Sequence, residues 1–238
     1  MNYSAIETVL MTIHGIVGAC VVLSGASALL SKKGSIFHRN SGKIFALAFC
    51  LMAGVILTTG LLASSLISTL GITYTALAAY LVLTSWATVR TPPATLDRFS
   101  YVAPALACSI GIMSLYWGGM AALGYAEIDD DIPVAAYFVF GGLAFLTAWG
   151  DVSVVLKGGL VGVQRLARHL WRMCFVFYLS TATLFTGPGS VVFPEDVRGS
   201  WVLMIPELSV LALSLYWLTK VLRNKYGERG LRKSEQGG

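Results

Sequence analysis

Three histidines and a few charged residues sit where an apolar chain has little structural need of them. His38 immediately precedes Arg39 in the basic segment SKKGSIFHRNSGK, and His169 lies within RHLWRM. Asp151 closes one apolar run, and Arg172 follows His169 by three residues, so one helix face presents both. His38, Arg39, Asp151, His169 and Arg172 form a candidate ligand or cofactor set. Imidazoles with a carboxylate are a transition-metal set, here His38, His169 and Asp151. Two imidazoles from different helices could instead hold one haem iron, and the same cluster suits a quinone-like ligand. The competing reading is an interfacial ion-pair network. In that network Asp151 faces Arg39 or Arg172, and the histidines hydrogen-bond loop carbonyls.

His14 belongs to a different layer. It lies about eight residues into the first apolar run, and Glu207 lies about six residues into the last, so both fall roughly 9–12 Å deep. A His–Glu pair at that depth could relay protons or bind a cation, as in a small proton-coupled transporter. It could equally be an interhelical hydrogen bond that serves packing alone, as in a structural or accessory subunit.

Other chemistry has no signature. The chain contains no Walker loop, GxSxG, HExxH or CxxC. Cys20, Cys50, Cys108 and Cys174 all lie inside apolar runs without paired spacing, which argues against a disulfide scaffold or a zinc knuckle.

The elements that must position these residues follow from composition. Of 238 residues, 12% are charged and 56% hydrophobic, against roughly 25% charged in a soluble domain. The mean hydropathy is +0.73. Crossing a bilayer takes about 20 apolar residues in a helix and only about 10 in a barrel strand. The long runs therefore predict an all-α bundle of seven transmembrane helices within residues 1–222. The expected spans are about 6–30, 44–66, 72–89, 101–123, 133–152, 170–185 and 201–222. Residues 152–170, broken by Gly158 and Gly159, read as a helix extension, a turn and an amphipathic lead-in. A basic tail, 223–238, closes the chain.

Charge fixes the expected sides. Sixteen of the seventeen Lys and Arg residues fall in alternate gaps, four, two, four and six at a time; Arg198 alone lies in a skipped gap. Glu127, Asp129, Asp130, Asp131, Glu195 and Asp196 lie in the skipped gaps. Positive loops stay inside, so the amino terminus is expected outside and the carboxyl terminus in the cytoplasm. The formal charge of +5 is thereby explained without nucleic acid. The expected partners are the bilayer and anionic headgroups beside the basic loops and tail.

Three blocks carry a resemblance: HGIVGACVVLSGASALLSKKGSIFHRNSGKIFALAF from His14, YTALAAYLVLTSWATVR from Tyr74 and RLARHLWRMCFVFYLSTATLF from Arg165. The chain resembles the uncharacterised bacterial membrane family called domain of unknown function 2306. The resemblance puts His14, His38, Arg39, Gly42, Trp86, His169, Arg172 and Met173 on motif positions and implies a bacterial inner-membrane location. It carries no activity, and Glu207 falls outside the better-matching part.

Overall fold

The computed structural model describes residues 3–62, 68–126 and 133–236. Seven long helices follow one another: α1 (Tyr3–Leu30), α2 (Ile36–Leu62), α3 (Thr69–Arg90), α4 (Arg98–Ala122), α5 (Ala135–Leu156), α6 (Gly162–Phe185) and α7 (Met204–Gln236). Two short 3-10 helices, Pro188–Val192 and Trp201–Leu203, lie between α6 and α7. No strand occurs among the described residues. Glu127 and Asp129 to Asp131, expected in an acidic outer loop, lie outside the described residues.

Six of these helices are long and apolar enough to cross a membrane, one fewer than the sequence predicts. The exception is α6. Its first half carries Arg165, Arg168, His169 and Arg172, which depress its hydropathy although its 24 residues are long enough, about 36 Å at the usual rise. Several boundaries also move. His38, Arg39 and Lys43 belong to α2 itself, because the turn after α1 ends by Ser35. α6 begins at Gly162, eight residues before the expected span. α7 continues as helix through the basic segment to Gln236.

Adjacency follows connectivity. The helix pairs α1–α2, α4–α5 and α6–α7 pack as neighbours, and α3 touches α2, α4, α5 and α6. α6 lies against α1, α3 and α7. α3 and α6 therefore form the centre, and α3 is the most enclosed of the six apolar helices. Its buried hydroxyls satisfy themselves locally: Thr73 Oγ1 donates to Thr69 O at 3.1 Å, and Thr84 Oγ1 to Tyr80 O at 2.7 Å. That back-bonding is how Thr and Ser are accommodated in apolar helices. Outward faces are apolar, with Ile16, Leu23, Leu47, Leu51, Leu146 and Trp149 exposed.

Helices meet closely where side chains are small. Phe177 of α6 packs on Gly25 of α1, in the space a Cβ would take. On α4, Gly118 faces Tyr137 of α5, and Ser114 Oγ donates to Tyr137 O at 2.7 Å. The α5–α6 turn needs glycine outright. Gly159 has φ +115°, and a Cβ there would lie 2.6 Å from the backbone of Thr95. Ala94 N donates to Leu160 O at 3.2 Å across the same contact. This turn holds the α3–α4 loop against the start of α6.

Candidate functional site

At one end of the bundle lie the carboxyl ends of α1, α3, α5 and α7 and the amino ends of α2, α4 and α6. We call it the basic end. Asp151 sits there, about 8 Å from the end of α5 by helical rise, with its side chain 1% exposed. Its Oδ1 accepts a hydrogen bond from Arg172 Nη2 at 2.6 Å and forms an ion pair with Arg168 Nη2 at 2.8 Å. Its Oδ2 accepts from the Tyr80 hydroxyl of α3. Arg172 also donates through Nη1 to Thr84 Oγ1, and its guanidinium stands 5.6 Å from the Tyr80 ring centroid and 5.3 Å from that of Trp171.

Spacing explains the arrangement. Arg168 and Arg172 are four residues apart, so α6 presents both to the same carboxylate. Tyr80 and Thr84 are likewise four apart on α3. The Asp151 carboxylate thus serves two guanidiniums, and the Asp97 carboxylate acts on Arg168 by charge without forming an ion pair with it. Arg168 Nε and Arg172 Nε are buried without a hydrogen-bond partner. Charged groups in such surroundings are costly unless paired.

Several other ionisable residues of this end serve helix termini. Arg165 donates through Nε to Thr88 O at 2.7 Å and through Nη2 to Val89 O at 2.9 Å and Thr91 O at 2.6 Å, closing the carboxyl end of α3. A cation there satisfies free carbonyls and suits the helix dipole. His38 Nδ1 donates to Ala28 O at 2.9 Å, and Lys33 Nζ reaches Ala28 O at 3.1 Å and also Leu29 O. Burial lowers the Lys33 ammonium from its ordinary pKa. Ser85 gives its proton to His169 O at 3.0 Å and accepts from His169 Nδ1 at 2.9 Å. His38 and His169 therefore both spend Nδ1 inside the protein. Asp97 caps α4: its Oδ1 accepts from Ser100 Oγ at 2.5 Å and Ser100 N at 2.8 Å, and the Ser100 hydroxyl is the main reason its carboxyl pKa is lowered.

Among the described residues, no group of three or more His, Cys, Asp and Glu side chains is placed to hold a metal. The structure joins Asp151 to arginine and tyrosine, not to His38 and His169. Arg39, a candidate partner of Asp151, is exposed on α2. At the opposite end Glu207 is 8% exposed, and its Oε2 accepts from Thr186 Oγ1 at 2.8 Å. This bond ties α7 to the end of α6; His14 lies half-buried on α1. Tyr80, Thr84 and Ser85 are absent from the candidate set read from the sequence.

Two cavities flank the cluster. The larger, about 370 Å³, lies between α5, α6 and Leu222 of α7, and Trp149, Lys157, Arg168, Trp171 and Arg172 help line it. The smaller, about 40 Å³, is walled by hydroxyls of Thr84, Thr88, Thr91 and Ser100 together with Arg165 and Arg168. Arg168 borders both. Comparison with protein-family models, with curated proteins and with solved structures found no match to this chain.

Proposed function

We propose that this chain is a bacterial inner-membrane protein with seven crossings that binds a lipid-soluble ligand at the Asp151 cluster. The ligand presents oxygen acceptors, as a quinone-like or anionic headgroup does. The observation that carries this reading is that two guanidiniums, buried Arg172 and part-buried Arg168, share the Asp151 carboxylate beside a cavity of about 370 Å³. Cavities of that size suit small amphiphiles. Intramembrane ionisable groups default to ligand or ion sites, and this one lacks the acceptor that would complete it.

The seventh crossing is α6. Its arginines turn inward onto Thr88, Val89, Thr91 and Asp151. Its charged groups are thus turned onto protein groups and away from lipid, the arrangement in which polar residues are tolerated at membrane depth. With α6 crossing, all basic segments but Arg198 share one side, so the amino terminus lies outside and the tail inside. The resemblance to domain of unknown function 2306 supports the same location.

Organic extraction of detergent-purified protein, followed by mass spectrometry, tests the reading. The wild type should release an oxygen-bearing amphiphile that is depleted at least several-fold in Arg168→Gln. Equal content in the two proteins would sink the proposal, as would an empty wild type.

A further inference from the structure

We infer that the cavity between α5 and α6 is selective for a negatively charged amphiphile, its phosphodiester or carboxylate seated against Arg168 and Arg172. The inference rests on the ligand site proposed above and names the ligand's charge. The lining includes Lys157, Arg168 and Arg172 and no carboxylate among the described residues. Asp151 stands behind the guanidiniums and does not face the cavity. A ligand therefore meets three cations with one of their counter-charges already spent on the far side. The buried, unpartnered Nε atoms of Arg168 and Arg172 show that the protein's own acceptors do not exhaust these two side chains.

The rest of the lining says that the anion arrives on a hydrocarbon chain. Leu146, Trp149, Trp171 and Leu222 supply an apolar wall. Leu146 is 65% and Trp149 76% exposed, so this wall opens on the outer flank of α5. Lys157 and Gln164 lie toward the turn, where headgroups would sit. Guanidinium recognises phosphate and carboxylate by charge-assisted hydrogen bonds. A choline-bearing headgroup would bring its ammonium toward Lys157, whereas a singly anionic headgroup meets no such repulsion.

Tryptophan fluorescence tests this in the full chain. The protein is reconstituted into phosphatidylcholine vesicles with a minor fraction of acyl-brominated phosphatidylglycerol, or of acyl-brominated phosphatidylcholine at the same level. The anionic lipid should quench with an apparent affinity on the order of fivefold higher, the worth of about one basic contact at a membrane surface. Trp149→Phe should remove much of that excess. Lys157→Gln, a change at an exposed side chain, and Arg168→Gln should each reduce the preference, and Asp151→Asn should raise it. That opposite sign separates anion binding from general damage to the fold. Should Asp151→Asn fail to fold, Lys157→Gln alone decides. Equal quenching by both lipids overturns the inference, and so does a preference untouched by Lys157→Gln. Inorganic phosphate that binds and abolishes the lipid preference would identify a soluble anion and overturn the amphiphile. If extraction still yields a neutral ligand lost in Arg168→Gln, the ligand site stands and only its charge selectivity fails.

Discussion

At the residue scale, Asp151 is the member on which the most contacts converge. It accepts from Tyr80 and Arg172 and pairs with Arg168, so removing it strands buried Arg172 and part-buried Arg168 at once. Asp151→Ala should therefore destabilise by about 3–5 kcal/mol, the usual cost of breaking a buried pair from one side. Tyr80→Phe deletes a single hydrogen bond to a charged acceptor and should cost about 1.5–3 kcal/mol. Thermal or denaturant unfolding in detergent checks both, and a larger loss for Tyr80→Phe would contradict the assignment. Asp151 and Arg172 were legible in the sequence because an ionisable residue in an apolar run is conspicuous. Tyr80 and Thr84 were not, since one tyrosine or threonine in a long helix is ordinary. Only the fold of α3 against α5 and α6 turns them into partners. The histidines stand out by type, and the structure gives Nδ1 of His38 a helix carbonyl and Nδ1 of His169 a buried serine.

At the element scale, the terminal contacts of α3, α4 and α6 hold the site in place. Arg165 satisfies three carbonyls at the end of α3. Arg165→Ala should fray that last turn, read as faster amide exchange over residues 87–91, with a loss of about 1–2 kcal/mol. Exchange unchanged from wild type would show that the cap is dispensable. The α4 cap carries a pH dependence. Asp97 has a lowered pKa in the folded protein, caused first by the Ser100 hydroxyl. Its contribution is therefore present above the ordinary carboxylate value of about 3.9 and is lost as pH falls through the lower folded value. Asp97→Asn should abolish that part of the acid sensitivity, which an unfolding series across acid pH would report. Six apolar runs were readable as spanning helices from length and hydropathy. The start of α6 was not, because its polar first half reads as interfacial until α3 and α5 are known to face it. The glycine-broken turn at 158–159 was visible, but its purpose, seating the backbone of Thr95 against Gly159, depends on a loop more than sixty residues earlier.

At the scale of the whole molecule, the decisive question is whether α6 crosses. If it does, Lys157 and Val192 lie on opposite faces of the membrane; if it does not, they share a face. Both positions are exposed, and they flank α6 at its two ends. On a background with Cys20, Cys50, Cys108 and Cys174 replaced, a single Val192→Cys should react with a membrane-impermeant maleimide in cells whose outer barrier has been opened. A single Lys157→Cys should react only after the inner membrane is permeabilised. Labelling of both under the same condition would reduce the protein to six crossings and put the tail of α7 on the side opposite the one proposed. The charge distribution argues for separation. Lys157, Arg165, Arg168 and Arg172 gather at one end of α6, and Glu195 and Asp196 follow its other end. Reversing α6 would expose three arginines to the face that carries the acids and would detach Arg168 and Arg172 from Asp151 on α5. The bond network that builds the site and the charge rule thus both favour the path proposed for α6, and one labelling pair tests them together.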